Sequence, residues 1–273
     1  MSTRCLFVIL LGPLAAITAC GLRLPHIEKA PVAAEEVAKA NAAAREGDIL
    51  LGKGEAYAAL LKYLEATKLH PYSDVMYNKL AITYTKLNFY DRALDSVARS
   101  LALNREYAYA YNTLGIIRLM QRKTGASIRS LRKATSLAPG VAFFHLNLAS
   151  AYMQENDAEK AMNALRKALA IDPEVMSRQG GVGVQSTSVS FSGSGHFYML
   201  AQLYAERGEE KMALDFLKKA SSAGFTDFDR LRKDRAFEKL QQTEEFLDLL
   251  AEVKRNAEQE RQGQQARPGP GLR

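Results

Sequence analysis

Residues 141–173 read VAFFHLNLASAYMQENDAEKAMNALRKALAIDP. Phe144, Leu146, Leu148, Ala149, Tyr152 and Met153 recur at helical spacing, and Asn156-Asp157 then break the pattern. Ala161, Met162, Leu165, Ala168 and Leu169 take it up again until Pro173 stops it. The stretch predicts two helices joined by a short turn. Neither helix can bury its apolar stripe alone, so the pair must stack on copies of itself.

Copies are present. Pro139 and Pro173 stand 34 residues apart, and Pro71 lies twice that distance upstream of Pro139. Between them Arg105 stands where a proline is expected. In this frame units begin at Ala40, Asp74, Ala108 and Ala142, and a fifth begins at Ser194, 18 residues late.

The period and the residue types resemble the tetratricopeptide repeat family. Its first bulky site falls on Tyr77, Tyr111, His145 and Phe197. The large-small pair that follows falls on Leu80-Ala81, Leu114-Gly115, Leu148-Ala149 and Leu200-Ala201. The tyrosine site falls on Tyr84, Tyr152 and Tyr204. The second-helix sites are Ala59, Tyr63 and Ala66, then Ala93, Val97 and Ser100, then Ser127, Leu131 and Ala134. Ala161, Leu165 and Ala168 serve the fourth unit, and Ala213, Leu217 and Ala220 the fifth. The departures are Ala43 and Glu46 in unit one, Arg105 in unit two and Arg118 in unit three. The small sites mark close helix approach: a large side chain at Gly115 or Ala149 would overpack it, costing about 1–3 kcal/mol. The resemblance implies an all-α fold, a right-handed α-solenoid of about five helix-turn-helix units with a C-terminal helical cap.

Composition agrees with a folded chain of this kind. Hydrophobic residues make up 47% and charged residues 25% of 273 residues, ordinary values for a globular protein. An array grows its core lengthwise, so this length does not require two domains. The net charge is +7, and Lys and Arg read as interspersed with Asp and Glu, the pattern of solvated helix faces. Nucleic-acid binding would call for a basic stripe with stacking aromatics, and neither it nor a small-molecule substrate is expected.

The chain divides accordingly. Residues 1–19, MSTRCLFVILLGPLAAITA, have a short basic start and an apolar run too short to span a bilayer, the pattern of a secretory signal. Ile17-Thr18-Ala19-Cys20 resembles a bacterial lipobox, which implies cleavage before Cys20 and its acylation. The alternative is ordinary cleavage after Ala19, which leaves Cys20 a plain thiol. Stable anchoring takes more than one acyl chain, which a lipobox cysteine would receive. Gly21 then favours an outer membrane, facing the periplasm, if the host has one. Residues 20–33 read as a tether, 34–173 as units one to four, 174–193 as a Gly/Ser-rich insertion and 194–224 as unit five. Residues 225–255 read as the helical cap and 256–273 as a disordered tail. For the insertion, disorder, a small hairpin and a lid over the groove all stand open.

The family resemblance also implies a concave face lined by the first helices. Carried over, its partner-binding positions are Asn78, Ile82, Tyr109, Asn112, Ile116, Phe143, Leu146, Ser150 and Tyr198. Asparagine amides there can bond an extended backbone, and apolar neighbours can take partner side chains. The alternative for Ile82, Ile116 and Leu146 is plain packing between helices. The chaperone-type carboxylate clamp is absent, since its sites fall on Ala44, Asp48, Lys79, Tyr109 and Thr113.

Catalysis has little to stand on. His26, His70, His145 and His196 are scattered, and no nucleophile, zinc or dithiol motif appears. No metal or cofactor is expected. The leading expectation is a lipid-anchored scaffold for protein–protein interaction at the cell envelope. Its alternatives are an envelope assembly factor, resembling pilotins or the lipoprotein of the barrel-assembly machinery, and a structural lipoprotein with no dedicated groove.

Overall fold

The computed structural model describes residues 30–175 and 193–265. The signal-like segment, Cys20, the tether up to residue 29, residues 176–192 of the insertion and residues 266–273 of the tail lie outside the described residues.

Ten helices form five hairpins. They are α1 (Ala34–Gly52) with α2 (Ala56–Leu69), α3 (Asp74–Lys86) with α4 (Tyr90–Leu103), and α5 (Ala108–Met120) with α6 (Thr124–Leu137). Then come α7 (Ala142–Gln154) with α8 (Ala158–Ile171), and α9 (Ser194–Glu206) with α10 (Glu210–Ser222). The helices that open units two to four start at the residues the 34-residue frame names, and α9 starts at Ser194, the displaced start of unit five. Only α1 starts early, because the Ala-rich run before Ala40 is itself a strong helix former. No strand occurs among the described residues.

Each hairpin turns the same way. The residue two past the first helix has positive φ at Gly54, Asn88, Arg122, Asn156 and Gly208. The N–H that follows reaches back to close the helix end, Glu55 to the Leu50 carbonyl, Phe89 to Tyr84, Lys123 to Arg118, Asp157 to Tyr152 and Glu209 to Tyr204, at 2.8–2.9 Å. This bond satisfies a carbonyl that the helix itself leaves open. The tyrosine site of the repeat is thus also the acceptor of its turn, and Arg118 fills that role in unit three.

The small residues lie where the helices meet. All fifteen second-helix sites predicted from the sequence are at most 2% exposed. A methyl group on Gly115 would sit 2.5 Å from Cγ of Leu131, so nothing larger than hydrogen fits without a shift. Gly47 makes the same kind of approach to the Tyr63 ring. The buried apolar residues fall into two main clusters, one from Ala40 to Ile117 and one from Leu119 to Val253. A small third cluster of Ala108, Ala134 and Phe144 bridges the middle.

Beyond unit five, α11 (Phe228–Lys233), a 3-10 turn (Arg235–Phe237) and α12 (Glu244–Gln265) cover the open end of the stack. Leu231, Phe237, Leu240, Phe246, Leu249 and Val253 are each at most 3% exposed and join the core of units four and five. Gly224, at φ 89°, ends α10 where a side chain would be strained. The last helix runs ten residues past the point where composition placed the end of the cap. A Gln-rich sequence signals low hydrophobicity, but Glu, Gln, Arg and Ala are all good helix formers.

Candidate functional site

The inner face of the stack is built from α3, α5, α7 and α9. Of the nine residues predicted to line it, only Tyr109 and Phe143 are half-exposed, and the other seven are buried. Ile82, Ile116 and Leu146, at 0%, 2% and 5% exposure, are packing residues, as their alternative reading held. They are not open anchors, because neighbouring helices pack over them. Ser150 is turned back on its own helix, where its hydroxyl donates to the Leu146 carbonyl at 3.2 Å.

Tyr198 is also corrected. Its ring stacks on Phe225 at 4.5 Å, meets Phe237 edge-on and lies under the Arg230 guanidinium. Its hydroxyl donates to Asp234 at 2.6 Å, beside the Gln202 amide on the same carboxylate oxygen. Burial, and then the Asp234 bond, push that hydroxyl far above the ordinary phenol range. The cap therefore occupies the fifth unit's share of the inner face.

What remains is an aromatic and amide cluster at the N-terminal ends of α5 and α7. Tyr107 lies 5.7 Å from Tyr109, which lies 6.0 Å from Phe143 and 5.2 Å from Phe144, ring centre to ring centre. Asn112 accepts from the Asn147 amide at 2.8 Å, but its own NH2 has no partner. Asn78 is 0% exposed, and neither end of its amide makes a well-aligned bond. The Tyr107 hydroxyl, also without one, is pushed up by burial and by the nearby Asp74 carboxylate. The Asn78 amide beside it acts in the opposite direction and lowers it. Each such group costs about 1–3 kcal/mol when left without a bond.

The other predicted features fall elsewhere. Asp48 and Lys79, two of the clamp positions, pair with one another at 2.6 Å and tie unit one to unit two. His145 Nε2 lies 2.9 Å from the Pro139 carbonyl. Burial lowers the pKa of His196. Among the described residues no group of three metal-ligating side chains gathers, and no helix is long and apolar enough to cross a membrane.

One feature escaped the sequence reading. From Tyr107 to Gln154 the chain holds Arg118, Arg122, Lys123, Arg129, Arg132 and Lys133 and neither Asp nor Glu. The charges are therefore not evenly interspersed: most of the +7 sits in unit three. The signal was a run free of acidic residues, which a count over the whole chain conceals.

Comparison with known proteins agrees with the geometry. The sequence model of the tetratricopeptide repeat matches residues 144–175, the hairpin of α7 and α8. Residues 144–175 form a tetratricopeptide repeat, and the other four hairpins share its architecture. The chain is 32% identical over 124 residues to the BBSome complex member BBS4 of Bos taurus, over 45% of this chain and 23% of that one. The chain spans less than a third of the length of the curated relatives it matches. Among solved structures, the repeats resemble pilF of Pseudomonas aeruginosa with a TM-score of 0.56 and 16% identity, over 84% of this chain and 99% of that one. They also resemble a thermophilic repeat protein of Thermus thermophilus with a TM-score of 0.50 and 23% identity, over 73% and 99%. These two likenesses are of fold.

Proposed function

We propose that this repeat stack is a protein-binding scaffold, held at a membrane surface of the cell envelope through lipidated Cys20. It takes a partner's extended segment on its inner face. The observation that carries the binding site is the pair of half-exposed rings, Tyr109 and Phe143, 6.0 Å apart on the inner face. The apolar side chains of an extended segment would pack on those rings, whereas the amides of Asn78 and Asn112, at 0% exposure, are closed to it. The site is narrower than the sequence implied, limited to the α3–α5–α7 stretch.

Two experiments test the reading. Affinity purification from detergent-solubilised membranes, with wild type against Tyr109→Ala with Phe143→Ala, should recover a stoichiometric partner that the double variant loses. If the folded double variant keeps every partner, the groove is wrong. Fractionation of Cys20→Ser should move the chain out of the membrane pellet, and an unchanged distribution rejects the anchor.

A further inference from the structure

Two departures from the repeat pattern, Arg105 in place of proline and Arg118 in place of tyrosine, open onto the same cavity on the opposite face of the stack. It lies between the outer helices α4 and α6 and has a volume of about 330 Å³. Leu94, Val97, Leu101, Tyr111 and Leu114 form an apolar floor. Arg105, Arg118, Arg129 and Lys133 stand around it, and among the described residues that line it none is acidic.

Arg118 is held in place rather than free to wander. Its guanidinium donates to the Ser130 hydroxyl at 2.6 Å and to the Ala126 carbonyl at 3.2 Å. Those bonds use one nitrogen and meet no carboxylate, so a half-buried cation faces the cavity without a counter-charge. Burial and the neighbouring Arg129 charge both lower its pKa, the mark of a site that would gain from an anion. Across α6 a second hollow of about 580 Å³ carries Arg132, Lys160 and Lys167, again with no acidic lining residue. Lys160 is already paired with Asp157 at 2.6 Å, so the cationic band centres on α6, where Arg129, Arg132 and Lys133 face the two hollows.

We infer that this band is a second binding surface, which takes an acidic peptide segment carrying one bulky apolar side chain. The apolar residue fills the α4–α6 cavity, and its flanking carboxylates meet Arg118, Arg129 and Lys133. Planar guanidinium groups bind carboxylates through two parallel bonds, which favours this anion over a diffuse one. The closed, apolar floor argues against a nucleic-acid backbone, which needs an open stripe with stacking rings. This surface is independent of the inner-face groove.

The test uses the full chain in detergent and a short dye-labelled peptide of Glu and Asp around one central Phe, followed by fluorescence anisotropy. The comparison peptide has every acid replaced by its amide. The acidic peptide should bind, and its affinity should fall with added salt. Arg118→Gln should weaken it about tenfold, and Arg129→Glu with Lys133→Glu at least as much. The second pair is exposed, so it tests the surface even where Arg118→Gln disturbs the turn. Tyr109→Ala with Phe143→Ala should leave this binding unchanged, which separates its failure from failure of the inner groove. Equal binding of the amide peptide, or indifference to the Arg129 and Lys133 reversals, overturns the inference. So does a result in which phosphatidylglycerol vesicles or a single-stranded oligonucleotide, and not the peptide, respond to those reversals.

Discussion

Units three and four stack side by side and share the same turn bond and the same core slot. Lys123 N–H closes on the Arg118 carbonyl at 2.8 Å, and Asp157 N–H closes on Tyr152 at 2.9 Å. Leu131 and Leu165 fill the same slot at 0% exposure, between Ser127 and Ala134 in one and Ala161 and Ala168 in the other. Their surfaces differ. Unit four mixes Glu155, Asp157 and Glu159 with Lys160, Arg166 and Lys167, whereas unit three carries cations alone. The difference teaches that the repeat fixes a few positions by close packing and leaves the others free. Function in such a chain lies in the free positions, and in the few fixed ones that the chain has chosen to break.

The largest effect should be the same in both units. Leu131→Ala and Leu165→Ala should each cost about 2–5 kcal/mol in urea unfolding, through a cavity with no side chain able to collapse into it. A unit that tolerates the change would show that the two are not equivalent in packing. Gly115 sharpens the comparison. Gly115→Ala should cost about 1–3 kcal/mol, because its methyl group meets Leu131, while unit four already holds alanine at Ala149. Ala149→Gly should cost only about 1 kcal/mol, the ordinary penalty of glycine inside a helix. If Gly115→Ala is neutral, the Leu131 side chain has room that the geometry denies.

The comparison also explains what was legible in the sequence. Helix starts at Asp74, Ala108 and Ala142 follow from a period alone, because each hairpin needs the same length to pack on the next, whereas Ser194 had to be found from the residue types of the fifth unit. Small residues at Gly115 and Ala149 are legible for the same reason, since only close approach excludes larger ones. The inner face was less legible. Whether Ile82 or Tyr198 points into open space depends on how the next unit or the cap lies over it. That is a property of curvature, not of spacing within a unit. The basic band was written in the run from Tyr107 to Gln154, but its meaning required α4 and α6 to be brought together. Only then do Arg105 and Arg118, 13 positions apart, line one cavity.

The smallest expected effect isolates the turn. Arg122 and Asn156 occupy the same left-handed position, at φ 59° and 64°. Asparagine tolerates that conformation because its short amide bonds locally, whereas a longer side chain is crowded against its own carbonyl. Exchange between the units should therefore move stability in opposite directions. Arg122→Asn should raise the urea midpoint, by a stability gain of about 0.5–1 kcal/mol, and Asn156→Arg should lower it by a similar amount. Neither side chain is part of the core, so packing should not contribute. Arg122→Asn also removes one cation from the band without touching the α4–α6 cavity. Its peptide affinity should therefore fall far less than with Arg129→Glu, and an equal loss would mean that the band acts through net charge rather than through a shaped site.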